Sequence, residues 1–354
     1  MNVKILHKFL YIIRRNYVSP QNSTVMKKLI LIYTFLVLIT LPVLGQKIGV
    51  LMDSYVVERW MNDRNYISEK VSELGGECMV DVANGEASKQ FEQAKKLIEA
   101  GAQVLIIVPV DIEKAVEIAE YAESKSVAVI AYDRIIPSTA TDLYLSFDNE
   151  MVGELQAKWA YENAGEGSYL LLNGPRSDYN AILFRKGQLK VLNPLVKKGK
   201  IKISDDIILD NWGELNAFLA MQEKSISMLE SPVAIIAAND VLASGAISAL
   251  SVDMDVKPIY ITGQDAEIRA VRNLKQDLQD MTVYKPIKKL AYLAAESAMK
   301  LANGEKLTQV KNNKVAGVSV NSILLEPMVV TKDNYMETVV SDGHVTVDEL
   351  VAEE

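Results

Sequence analysis

The chain has 354 residues, 49% hydrophobic and 24% charged, which suits one or two domains with substantial cores. Its formal net charge is −8, but residues 1–45 carry six basic side chains and no acid, so the remainder holds 32 basic against 46 acidic side chains, a net of −14. A body that acidic argues against nucleic acid and anionic membrane as partners. The single cysteine, Cys78, excludes an intramolecular disulfide and a Cys-based metal cluster. The two histidines, His7 and His344, flank the body rather than belong to it, which removes His-based triads, HExxH zinc sites and His-ligated iron. No metal and no cofactor is expected.

At the N-terminus, Met26-Lys27-Lys28 precedes the apolar run Leu29–Leu44, and Pro42-Val43-Leu44-Gly45-Gln46 follows the pattern of a signal-peptide cleavage site. Sixteen residues are short of the roughly 20 that span a bilayer. Residues 1–45 are therefore expected to be an N-terminal extension and signal peptide, with Met26 as initiator and cleavage after Gly45.

The body reads as alternating strand and helix. Lys47–Met52 is a strand, and a helix follows from about Val57 to Leu74, closed by Gly75-Gly76. A strand is expected at Glu77–Val82 and a helix at Ser88–Ala100, with Phe91, Ala94, Leu97 and Ile98 on one face. Strands at Val104–Val108, Val127–Tyr132 and Leu143–Phe147 follow, with a helix at Ile112–Ser124. The pattern then restarts with apolar runs at Tyr169–Leu172, Ile207–Leu209, Val233–Ala237, Ile259–Thr262 and Met281–Tyr284. Buried Val/Ile-rich runs at βα spacing imply two doubly wound, parallel-sheet α/β lobes. Beyond Pro327 the chain turns polar and acidic, and a strand or two capping a lobe, then a frayed tail, are expected.

Polar side chains gather where the strands end, which is where open α/β sheets bind ligands. Arg59 and Trp60 follow the first strand, and Asp133 and Arg134 follow the fourth. In the second half the exits carry Asp178 and Asn180, Trp212, Asn239, Asp265 and Lys285. Singly, each has a plainer reading: Asn239 and Asp265 as helix caps, Asp133-Arg134 as a surface ion pair, the tryptophans as packing. Jointly they suit a polyol. Hydroxyls both donate and accept, Asp, Asn and Arg grip neighbouring hydroxyls in pairs, and an indole covers the apolar face of a sugar ring. GxGxxG, GxxxxGK[ST] and GxSxG are all missing, so no enzyme signature is found.

The sequence resembles the periplasmic sugar-binding proteins of ABC importers, the type I pentose/hexose group, from about Lys47 to about Pro327. The motifs that carry the resemblance are Glu58-Arg59-Trp60, Ala131-Tyr132-Asp133-Arg134, Ser146-Phe147-Asp148-Asn149-Glu150, Leu183-Phe184-Arg185, Gly263-Gln264-Asp265-Ala266 and Met281–Pro286. One departure is Asp178-Tyr179-Asn180, with Tyr where the group's xylose binders have a second Asn. The resemblance implies a first lobe of 47–149 plus 285–320 and a second of 150–284 plus 321–354, joined by three crossings near Asn149, Lys285 and Val320. It also implies that all ten exit residues contact the ligand. Arg59, Trp60, Asp133 and Arg134 would act from the first lobe, Asp178, Asn180, Trp212, Asn239 and Asp265 from the second, and Lys285 at the hinge. A periplasmic, non-enzymatic, monomeric receptor is implied, which closes on a monosaccharide, D-xylose before related pentoses and hexoses, and presents it to an ABC permease. The alternative partner is a membrane sensor or histidine kinase. Loss of Arg59 or Asp265 is expected to abolish binding and leave the unliganded fold intact.

Overall fold

The structure is a computed structural model that describes residues 45–55, 59–227, 232–251, 259–315 and 317–351. The leader and Glu58 lie outside these residues. Five strands build the first lobe: β1 (Lys47–Met52), β2 (Glu77–Val82), β3 (Val104–Ile107), β4 (Ala128–Tyr132) and β5 (Leu143–Phe147). Between them run α1 (Arg59–Glu73), α2 (Ala87–Glu99) and α3 (Ile112–Ser124). The second lobe repeats the plan with β6 (Gly167–Asn173), β7 (Ile201–Ile208), β8 (Ala234–Ala237), β9 (Tyr260–Gln264) and β10 (Met281–Tyr284). Its helices are α4 (Asn149–Ala164), α5 (Tyr179–Lys197), α6 (Glu214–Ser227), α7 (Asp240–Leu250) and α8 (Ile268–Lys275). α9 (Ile287–Ala302) then returns the chain to the first lobe.

Two sheets result, ordered β11-β12-β5-β4-β3-β1-β2 and β13-β10-β9-β8-β6-β7, with β11 (Lys311–Val315), β12 (Val318–Leu325) and β13 (Met328–Thr331) as late additions. The parallel order 5-4-3-1-2 of the first recurs as 10-9-8-6-7 in the second, so the molecule is one doubly wound lobe used twice. The expected two-lobed α/β fold is observed. Burial on both faces explains the unbroken apolar strands: β3, β5 and β8 have every residue buried. One face of the first sheet packs on α1 and α9, through Ile67, Val71, Leu290 and Ala294. The other packs on α2 and α3, through Ala94, Leu97, Ile118 and Ala122.

Crossings occur where the first lobe's last parallel strand hands over to α4, at Asp148-Asn149, and where β10 hands over to α9, at Lys285-Pro286. The third falls at Glu326-Pro327, not near Val320. Ser322–Leu325 pair with Tyr144–Phe147, so residues 321–325 belong to the first lobe, and Met328–Thr331 pair with β10. β12 alternates in burial only over its first half and ends in the short apolar run Ile323–Leu325. β7 is likewise longer than the apolar triplet Ile207–Leu209, because as an edge strand it exposes alternate residues. The tail is packed rather than frayed through Val351. A π-helical turn (Met336–Val340) and α10 (Val347–Val351) bury Val339, Val345 and Leu350 beside α8. Among the described residues no helix is long and apolar enough to cross a membrane.

α4 and α5 touch backbone to backbone. A Cβ on Gly187 would stand 1.9 Å from the Glu150 carbonyl oxygen, and one on Gly153 would stand 1.9 Å from that of Phe184. Only glycine permits this crossing, which sets the angle of the helix that carries Asp178 and Asn180. Gly187→Ala is expected to cost about 1–3 kcal/mol by overpacking. Urea unfolding checks it, and an unchanged midpoint would show that the helices can part freely.

Candidate functional site

Two of the expected residues cap helices at strand exits. Asp178 Oδ1 accepts from Asn180 N at 2.9 Å and starts α5, and Asn239 Oδ1 accepts from Leu242 N at 3.0 Å and starts α7. Asp265 does not cap; it pairs with Lys285. Asp133 and Asp265 hold equivalent places after β4 and β9. Both have left-handed backbone, φ 62° and 99°. Their N–H groups donate back to the neighbouring strand, to Leu145 O at 2.7 Å and Val283 O at 2.9 Å. Such φ values cost non-glycine residues free energy, and they cluster where geometry serves function. Here they turn both carboxylates away from the sheets and toward the space between the lobes.

Arg59 lies at the centre. Nε donates to Asp63 Oδ2 at 3.2 Å, one amino group donates to Asp133 Oδ2, and the other stands 3.9 Å from Asp265 Oδ1 across the lobes. Lys285 Nζ reaches the same Asp265 oxygen at 2.9 Å, is 4% exposed, and lies near the rings of Phe147 and Phe184, one from each lobe. Asn180 Nδ2 donates across to Asp133 Oδ1 at 3.2 Å and its Oδ1 accepts from Asn149 Nδ2 at 2.9 Å. Arg134 donates to Asp53 Oδ2 at 2.8 Å and stands 3.9 Å from Asp178 across the lobes. Burial opposes the charge on Arg59, but Asp133, Asp63 and Asp265 outweigh it and raise its affinity for the proton. Burial likewise pushes Asp133 and Asp265 up, yet Arg59 and Lys285 hold both below the ordinary carboxylate value.

Of the two tryptophans expected at the site, Trp60 is 5% exposed and its ring lies against the guanidinium groups of Arg59 (4.7 Å) and Arg134 (5.6 Å). Trp212 donates from Nε1 to Asp178 Oδ2 at 3.2 Å and lies edge-on to Phe184. Its ring rests on Gly174, where a Cβ would come within 2.3 Å. A cleft of about 1260 Å³ opens beside these groups, lined by Arg59, Asn62, Tyr66, Trp212, Asp265 and His344 among others. Among the described residues no group of three or more His, Cys, Asp or Glu could hold a metal ion.

A family model described as periplasmic binding protein domain matches residues 48–306. The D-xylose-binding periplasmic proteins of Haemophilus influenzae and Escherichia coli are each 40% identical to this chain, over 84% of it and 90% of each of them. The chain belongs to the periplasmic sugar-binding proteins of ABC importers. A carbohydrate transporter solute-binding protein from Chloroflexus aurantiacus, solved in complex with D-glucose, superimposes with TM-score 0.81 at 28% identity, covering 86% of this chain and 98% of that one. Membership makes this a solute-binding protein of the periplasm and not an enzyme, with a monosaccharide taken between two lobes as its ligand class.

In this binding protein the structure brings Arg59, Asp133, Arg134, Asp178, Asn180, Asp265 and Lys285 into one cross-lobe network, with Trp60 and Trp212 against it. Among the described residues no hydrogen bond or ion pair joins Asn239 to that network, and its Oδ1 is held in its own cap. Four members were missed. Asp53 stands directly after β1 and Asn149 one residue past β5, at the start of α4, so both were visible by the rule that found the others. Asp63 follows Arg59 by one helical turn, the spacing of a facing pair. Tyr132 stood inside a quoted motif but read as an apolar strand residue.

The expectation that removing Arg59 spares the fold now changes. Arg59→Ala leaves Asp63 and Asp133 buried without their cation, which costs about 3–5 kcal/mol. Asp63 then holds its proton more tightly folded than unfolded, so the loss grows as pH rises from 5 to 8. Thermal unfolding at both pH values checks this; an equal loss at each would contradict it.

Proposed function

We propose that the protein captures D-xylose between its lobes and delivers it to an ABC permease in the membrane. The observation that carries this reading is the pairing of donors and acceptors across the lobes at separations too long for hydrogen bonds. Arg59 with Asp265 and Arg134 with Asp178 both stand at 3.9 Å. Each pair offers an N–H and a carboxylate oxygen side by side, which is what one hydroxyl, donor and acceptor at once, can satisfy. The ligand contacts are Arg59, Trp60, Asp133, Arg134, Asp178, Asn180, Trp212, Asn239, Asp265 and Lys285, with Trp212 covering a ring face. The 40% identity to proteins named for D-xylose supports the choice of sugar.

Closure by hinge bending follows from the three crossings. A sugar that bridges both lobes stabilises the closed form by its differential contacts, and the closed surface is what the permease recognises. The protein acts as a monomer. Secretion uses residues 26–45 as a signal peptide cleaved after Gly45, so N-terminal sequencing of the periplasmic protein is expected to begin at Gln46.

Calorimetric titration of residues 46–354 with D-xylose, D-ribose, L-arabinose, D-glucose and D-galactose tests the sugar. The expected result is saturable binding of D-xylose, at least tenfold tighter than the others, because a misplaced hydroxyl leaves buried charged groups unpaired. Tighter binding of another member keeps the receptor class and rejects D-xylose. No binding of any member rejects the monosaccharide reading.

A further inference from the structure

We propose that Asp63 and Tyr132 are positioning residues for the sugar site, a buried clamp that fixes the Arg59 guanidinium with one edge left free for the ligand. The inference rests on the reading that Arg59 contacts the sugar. Asp63 and Tyr132 are both fully buried, on α1 and at the end of β4. The Tyr132 hydroxyl donates to one Asp63 oxygen, and Arg59 Nε donates to the other. Asp133 takes a second side of the guanidinium. Two of its three nitrogens are thus engaged within the first lobe. The third, 3.9 Å from Asp265, is the one that faces the other lobe. A long side chain that must meet a small ligand gains by having its rotation removed beforehand.

The clamp is a poor device for stability, which argues that it serves the site. Among the described residues neither Asp63 nor Tyr132 makes a hydrogen bond to the second lobe, and an apolar pair of the same shape would fill the space without a buried charge. Burial pushes the Asp63 carboxyl up to about 6, even though Arg59 and the Tyr132 hydroxyl pull it down. The other groups that face it are Asp133 and Tyr66, and on α9 Lys288 and Tyr292 lie over one another beside Tyr66. Asp133 and Asp265 stay ionised through this range, since both are held below the ordinary value. His344, which contacts the Ala266 carbonyl, is itself lowered by burial. Asp63 is therefore the carboxylate whose protonation releases Arg59 Nε as pH falls through about 6.

The test is D-xylose affinity by calorimetry from pH 5 to pH 8 for wild type, Asp63→Asn and Tyr132→Phe. Wild type is expected to bind about tenfold more weakly at pH 5 than at pH 7.5, the fraction of Asp63 left ionised one unit below its midpoint. Asp63→Asn is expected to bind on the order of tenfold to a hundredfold more weakly at pH 7.5, with a flat profile. Tyr132→Phe removes a hydrogen bond to the carboxylate, so its profile should keep its shape with the midpoint moved to higher pH. Circular dichroism confirms that each variant is folded, and if Asp63→Asn is not, the Tyr132→Phe midpoint decides. Wild-type affinity and an unmoved profile in both variants would overturn the proposal. A wild type that binds none of the five sugars at any pH overturns the monosaccharide reading instead, and with it the premise of this one.

Discussion

One largely buried cation, Arg59, is the constraint on which the site depends. Its burial is tolerable only because carboxylates surround it, Asp63 and Asp133 from its own lobe and Asp265 from the other. Asp63 and Asp133 are in turn buried and need the cation, while Asp265 is partly exposed and shares Lys285. Removing any member leaves an uncompensated charge, so the group is held or lost together. This mutual need places Arg59, at the N-terminal end of α1, between Asp133, which follows β4, and Asp265, which follows β9. It also makes the contact between the lobes polar, and a polar contact can exchange partners with a hydroxylated ligand at little net cost.

The repeated lobe explains how such a cluster arises. Each half ends its fourth strand in an aspartate with left-handed backbone, and each such aspartate is tied by its N–H to the fifth strand. Two equivalent carboxylates therefore face one another across the cleft, and the chain crosses between the lobes directly after each fifth strand. Lys285 sits at the second of these crossings and binds Asp265. The hinge and the site thus share a residue, so a ligand that competes for Asp265 also acts on the hinge.

Much of this was legible in the sequence. Fully buried parallel strands announce themselves as short Val/Ile/Leu runs, and nearly every such run became a strand. Charged residues directly after them are unusual enough to mark the site, and the structure joins seven of the ten expected residues in one network. What escaped has separate causes. β7 is an edge strand that exposes alternate residues, so only its end reads as an apolar run, and the third crossing, which the resemblance implied near Val320, lies past β12 at Glu326-Pro327. Asp63 escaped because a carboxylate four residues after an arginine is commonplace on solvent-exposed helices. Its burial depends on Tyr132, a residue 69 positions away. Asn239 combines two readings that the sequence offered separately: its Oδ1 caps α7, and its place at a strand exit is the one proposed for a ligand contact.

The most direct measurement is a crystal structure of residues 46–354 grown with D-xylose. One pyranose ring is predicted between the lobes, with hydroxyls within hydrogen-bond distance of Arg59, Asp133 and Asp265 and a ring face on an indole. A sugar bound elsewhere, or bound between the lobes without contact to Arg59, would contradict the assignment of the cation cluster as the recognition site.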